Sequence, residues 1–151
     1  MAMLIYLDLC CINRPFYDQN QLVIRLQTEA KLHIQHEIRQ GGLALVWSAV
    51  MDLENDANPD LERRNAIAAW KSVASVDVDL LPGVQSTAEE LARAGIKPMD
   101  ALHVASALSA GAAWLLTTDK GLLAKMRGDA RIQVADPVDF VRATREASDE
   151  N

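Results

Sequence analysis

Two short apolar runs in this chain each close on an aspartate: Met3-Leu4-Ile5-Tyr6-Leu7-Asp8 and Ala113-Trp114-Leu115-Leu116-Thr117-Thr118-Asp119. A run that is apolar on successive rather than alternate residues reads as a strand buried on both faces, the mark of a parallel sheet between helices. In open α/β sheets ligands gather at the carboxyl ends of the strands, which is where Asp8 and Asp119 fall. Two more acids occupy comparable stations: Glu54 on the helix after the second strand, and Asp100 in the first turn of a later helix. Carboxylates brought together repel, by roughly 4 kcal/mol per pair at about 4 Å and an effective dielectric near 20. A fold that gathers four must offset this, and a divalent cation held by oxygen ligands is the usual means. The first expectation is therefore a Mg²⁺ or Mn²⁺ site built from Asp8, Glu54, Asp100 and Asp119.

The rest of the pattern alternates strand and helix. After a loop signal at Asn13-Arg14-Pro15, Val23, Leu26, Ala30, Ile34 and Ile38 recur at helical spacing and predict a helix from Gln19 to Gln40, stopped by Gly41-Gly42. Leu43 to Trp47 reads as the second strand, and Ser48 as the N-cap of the helix carrying Asp52 and Glu54. Asn58-Pro59 breaks that helix, and another follows from Asp60 to Ala74. Val76 to Leu81 reads as a strand ended by Pro82-Gly83, then a helix runs to Gly95. Pro98 sits in the first turn of the helix that Asp100 opens, where proline is tolerated. A strand at 113–118, a short helix from Lys120 to Met126, a strand at Ile132 to Ala135 and a helix from Pro137 to Arg145 complete the series. The expected architecture is a three-layer α/β sandwich with a mainly parallel central sheet flanked by helices. Residues 1–147 are read as one domain, and 148–151 as a polar, disordered tail.

Composition narrows the function classes. No run reaches the ~18 apolar residues of a membrane span, and the N-terminus enters a strand without the basic region of a secretory signal. The only cysteines, Cys10 and Cys11, are adjacent, a poor arrangement for a structural disulfide, so a reduced cytoplasmic setting is expected. They read as packing residues. The cysteines with His33, His36 and His103 form no zinc spacing. The formal charge of −6 argues against a broad nucleic-acid footprint. It does not exclude a nucleic-acid enzyme, because bound cations would neutralise four of the acids. Basic residues such as Arg25, Arg63 and Lys71 are scattered, and sequence alone does not gather them. No glycine-rich phosphate loop or Ser-His-Asp arrangement is present.

Each acid taken singly has an ordinary explanation: a turn for Asp8, a solvated face for Glu54, the helix dipole for Asp100 and an N-cap for Asp119. His103, one turn beyond Asp100, reads either as a donor to a carboxylate or as a satisfied buried side chain. Trp47 and Trp114 read as core, and Trp70 as core or an oligomer face. The single readings do not explain why two acids close apolar strands while two more stand on the flanking helices.

Four motifs in order, Ile5-Tyr6-Leu7-Asp8, Ser48 with Glu54 six residues on, Asp100-Ala101-Leu102-His103-Val104-Ala105-Ser106-Ala107, and Leu115-Leu116-Thr117-Thr118-Asp119-Lys120-Gly121, make the chain resemble the PIN-domain ribonucleases, VapC-like toxins among them. The resemblance favours Glu54 over Asp52. It implies metal-dependent hydrolysis of phosphodiester bonds in single-stranded RNA, leaving 5′-phosphate and 3′-hydroxyl ends, with Asp8, Asp100, Asp119 and Glu54 as metal ligands. Ser48 and Thr118 would be supporting residues. Leu9 stands where the family usually has a serine or threonine, Cys10 where Asn or Ser is common, and Gly121 where many members carry a further polar group. Asn13 and Arg14 are the polar residues that could compensate. The resemblance also implies a homodimer, with the Gln19–Gln40 helix and the Trp70 segment as contact surfaces, and a cognate antitoxin as a possible partner. Two rivals are a PIN-like module that binds RNA or protein without cutting, and a receiver-type signalling domain. The receiver reading needs an acid at the end of a central strand, a place assigned here to Val76–Leu81, which ends without one.

Overall fold

A computed structural model describes residues 2–13 and 22–149. Five strands form one all-parallel sheet: β1 (Met3–Leu7), β2 (Leu43–Ser48), β3 (Val76–Val78), β4 (Trp114–Leu116) and β5 (Gln133–Ala135), in the order β3-β2-β1-β4-β5. The helices among the described residues are α1 (Leu9–Asn13), α2 (Leu22–Gln40), α3 (Ala49–Asp56), α4 (Leu61–Ala68), α5 (Pro82–Arg93), α6 (Pro98–Ala110), α7 (Lys120–Lys125) and α8 (Pro137–Asp149), with a 3₁₀ turn at Ala69–Val73. None is long and apolar enough to cross a membrane. The mainly parallel α/β sandwich expected from sequence is thus found, with every strand pair parallel.

β1 lies in the middle of the sheet. Ile5, Tyr6 and Leu7 are all buried, so both faces of the strand are covered, as its continuous apolar sequence requires. From β1 the chain steps outward to β2 and β3, then returns to place β4 on the other side of β1. The crevice at such a reversal, beyond the carboxyl ends of the two diverging strands, is where open α/β sheets bind ligands. Here the strands are β1 and β4, and the residues that follow them are Asp8 and the Thr117-Thr118-Asp119 turn.

Local chemistry sets the helices that flank this crevice. Ser48, in extended backbone at the end of β2, caps α3 by accepting the Met51 N–H at 3.2 Å. Pro98 occupies the first turn of α6, and Gly111, with φ of 74°, closes that helix in a left-handed conformation suited to glycine. Along α6, Ala101, Val104, Ala105 and Ala107 are almost wholly buried; their small size lets the helix lie close to its neighbours.

Several expectations needed correction. Residues 9–13 form the short helix α1, which the sequence reading did not assign; it overlaps the Asn13-Arg14-Pro15 loop signal at Asn13 alone. Arg14, Pro15 and the first residues of the Gln19 to Gln40 helix lie outside the described residues. The apolar stripe of α2 is buried only from Ala30 onward, since Val23 and Leu26 are 65% and 47% exposed. Periodicity marks a face, but how far that face is buried depends on what packs against it. The stretch after Val78 does not continue as strand. Pro82 is the first residue of α5 rather than a mere stop, because its fixed φ suits a helix start. β3 is an edge strand, and the central strand is β1. The last helix runs on to Asp149.

Candidate active site

All four acids line one open cleft of about 560 Å³ at the carboxyl edge of the sheet. Asp8 follows β1 directly and its amide continues the ladder by donating to the Leu116 carbonyl at 3.0 Å. Its side chain, 9% exposed, accepts the Thr117 hydroxyl at 2.9 Å through Oδ2. The same Thr117 oxygen accepts the Asp119 N–H at 3.1 Å, so one fully buried threonine links the ends of β1 and β4. Asp119 caps α7: its Oδ1 accepts the Gly121 and Leu122 amides at 2.8 and 3.3 Å. The N-cap explanation for Asp119 therefore holds, and the capping residue still lines the cleft. Glycine at 121 suits this turn, because a Cβ there would stand 3.2 Å from Asp119 Oδ1.

The opposite wall comes from α3 and α6. Glu54 accepts from His103 Nε2 at 3.1 Å through Oε2. His103, only 2% exposed, touches the Tyr6 hydroxyl with Nδ1 at 2.6 Å, and that hydroxyl lies 2.7 Å from Ser48 Oγ. His103 thus proves to be both a buried side chain and a partner of a carboxylate. Asp52 is turned elsewhere, toward Trp47 Nε1 at 3.0 Å and Lys71 Nζ at 3.0 Å. Ser48 stands beneath the cleft wall, capping α3 and bonding Tyr6.

Charge leaves its trace on these groups. Burial raises the Asp100 carboxyl above the ordinary aspartate value, and the charges of Asp119 and Asp8 add to it. Burial alone would lower the His103 pKa, yet the hydrogen bond to Glu54 and the charges of Asp8, Glu54 and Asp100 carry it above the ordinary histidine value. Burial also pushes the Tyr6 phenol well above its usual range, so it acts as a neutral hydrogen-bonding group.

Asp8, Glu54 and His103 each offer a ligand atom within 4.8 Å of the other two. The carboxylates of Asp8, Glu54, Asp100 and Asp119 that line the cleft are hard oxygen donors of the kind Mg²⁺ and Mn²⁺ take, so they fit the cation the sequence led us to expect, whereas both His103 ring nitrogens already face Tyr6 and Glu54. One cation from the protein also reaches the cleft: Arg63 on α4 lines it, 3.5 Å from Asp60. Leu9 and Cys10 complete the floor near Asp8. Thr118 lines the cleft too, and its hydroxyl lies 3.3 Å from Cys10 Sγ. The Asn13 and Arg14 side chains lie outside the described residues.

Three contributors escaped the sequence reading. Thr117, not Thr118, bonds Asp8. Tyr6 had a detectable signal, since a phenol inside a buried apolar strand needs a polar partner. Lys31, 2% exposed, carries its ammonium to the Cys10 carbonyl; a lysine on the buried side of α2 is a comparable clue.

No curated protein matches the chain. A family model for the PIN domain matches residues 22–128, which include Glu54, Asp100 and Asp119; Asp8 lies before the matched stretch and is joined to them by the central strand. PIN domains are typically nucleases that use divalent metal. With an all-parallel sheet and an acid-lined cleft at its switch point, this chain belongs to the PIN domain family.

Proposed function

We propose that the protein is a Mg²⁺- or Mn²⁺-dependent ribonuclease that hydrolyses phosphodiester bonds in single-stranded RNA. The observation that carries this reading is the convergence of Asp8, Glu54, Asp100 and Asp119 on one cleft beside the β1–β4 switch point. Asp8, Asp100 and Asp119 would hold the cation directly, with Glu54 completing the shell. When bound, the cation supplies an activated water and stabilises charge on the leaving oxygen. The chain's own groups do the rest. Thr117 fixes Asp8, the Gly121 and Leu122 amides fix Asp119, and Arg63 at the cleft wall supplies positive charge for a phosphate. The cleft is open and lies at the protein surface, in keeping with an extended strand as substrate.

The family and the site are also consistent with the toxin of a toxin–antitoxin pair, acting in the cytoplasm as a homodimer with an antitoxin partner. The dimer surface named from sequence has changed in detail. Trp70 is 8% exposed, with the Arg39 guanidinium 4.4 Å from its ring centroid, and Lys71 is paired with Asp52 and Asp77 at 3.0 and 3.8 Å. The exposed Leu22, Val23 and Leu26 of α2 remain as the apolar contact surface.

The test is cleavage of a labelled single-stranded RNA by purified protein. Activity with Mg²⁺ or Mn²⁺ that disappears in excess EDTA and in Asp100→Asn is the expected result. Equal cleavage in EDTA would overturn the metal reading. RNA binding without cleavage under any divalent cation would favour the binding-module reading instead.

A further inference from the structure

A run of hydrogen bonds starts at the N-cap of α3, Ser48, and returns to that helix at Glu54. Ser48 Oγ, already accepting the Met51 amide, lies 2.7 Å from the Tyr6 hydroxyl. Tyr6 Oη lies 2.6 Å from His103 Nδ1, and His103 Nε2 lies 3.1 Å from Glu54 Oε2. Tyr6 and His103 also meet ring edge to ring face, with centroids 5.6 Å apart. The loop passes through β2, β1 and α6 before it re-enters α3. We propose that His103 is a positioning residue: its Nε2–H holds Glu54 in the one orientation that serves the cation cleft, and Tyr6 with Ser48 holds His103. This deepens the metal-dependent reading above and rests on it.

Donor and acceptor chemistry leaves little freedom in the arrangement. An ionised Glu54 only accepts, so Nε2 must carry a proton whether the imidazole is neutral or charged. In the neutral form the remaining protons order themselves in one direction. Nδ1 then accepts from Tyr6, which uses the phenol's one proton, so Ser48 donates to Tyr6 while its oxygen accepts the Met51 amide. Each hydroxyl proton is then used once. The purpose follows from where Glu54 stands. Its side chain is one-third exposed at the edge of a cleft, with three rotatable bonds. Asp8 and Asp119 have short side chains anchored by the 117–122 turn, whereas Glu54 has His103 and needs it. With Oε2 accepting that bond, the carboxylate is held in one orientation and keeps lone pairs to offer a cation. Outer partners of this kind orient metal-binding carboxylates and tune their affinity.

The test separates positioning from direct ligation and from mere packing. In metal-free wild-type protein, ¹⁵N NMR of the imidazole should show a protonated Nε2; a bare Nε2 would overturn the proposal. Mn²⁺ titrated by calorimetry, without RNA, should bind His103→Leu about 10–100-fold more weakly than wild type. His103→Gln, whose amide keeps a donor near the Nε2 position, should recover most of that loss at matched thermal stability. Unchanged Mn²⁺ affinity in His103→Leu would overturn the proposal while leaving the metal reading intact. Wild-type protein that binds no divalent cation would overturn both. Nitrogen coupling from a directly bound imidazole in the pulsed EPR spectrum of the Mn²⁺ form would make His103 a ligand and overturn its positioning role.

Discussion

On the strand side of the cleft, Asp8 and Asp119 are short side chains held by groups from one turn of chain: the Thr117 hydroxyl and the amides of Gly121 and Leu122. On the helix side, Glu54 and Asp100 stand on separate helices, α3 and α6. Glu54 reaches across to His103, and Asp100 is disturbed mainly by burial and by its acidic neighbours. The strand-side acids inherit their positions from the sheet ladder. The helix-side acids depend on how two helices pack and on a hydrogen bond between residues 49 apart in sequence. The cleft therefore joins a preset half to an adjustable half.

The largest effect should come from the preset half. Asp8→Asn should lower RNA cleavage by about 10²–10³-fold or more, the scale of removing one preorganised charge-stabilising group; activity near wild type would mean the strand-side acids are not central. Thr117→Val keeps the shape of the residue but removes the hydroxyl shared by Asp8 and the Asp119 amide. It should lower cleavage by about 10–100-fold and stability by about 1–3 kcal/mol, because buried polar groups lose their partner. Denaturant unfolding and initial rates together check both.

On the helix side, Glu54→Gln should cost about tenfold in rate, while Asp52→Asn, two residues away and turned to Trp47 and Lys71, should stay within about twofold. Equal losses would erase the distinction between the two α3 acids.

The smallest effect is thermal. The folded chain holds the Asp100 proton more tightly than the unfolded chain, so the ionised carboxylate costs stability once pH rises through the raised value. That penalty is complete at neutral pH and disappears as pH falls below the ordinary 3.8. In EDTA at pH 7, Asp100→Asn should therefore melt higher than wild type, by on the order of 1–2 °C for a partly exposed group. The difference should vanish in acid, and a lower melting temperature at pH 7 would show that Asp100 is stabilised rather than strained.

Local patterns were readable where the cause is local. An apolar run closed by Asp8, the cap at Ser48 and proline in the first turn of α6 are each decided within a few residues, and the chain states them. Long-range choices were not. Thr117 and Thr118 are chemically alike, and only the register of β1 against β4 decides which hydroxyl meets Asp8, 109 positions away. The pairing of His103 with Glu54 depends on the approach of α6 to α3. The exposure of Leu22, Val23 and Leu26 likewise depends on what packs there, which a helical period cannot report. β3 was misplaced toward the centre because strand order is a property of crossovers rather than of any one strand.

Asp8 sits at the end of the central strand of the sheet, and its amide is bonded to the Leu116 carbonyl. Opening that bond means parting β1 from β4, which disrupts the middle of the sheet rather than its rim. Amide hydrogen exchange at Asp8 should accordingly proceed only through global unfolding, unlike exchange at the edge strands β3 and β5. On warming, the strand-side half of the cleft should therefore not loosen ahead of the domain. Activity and fold should disappear in the same transition.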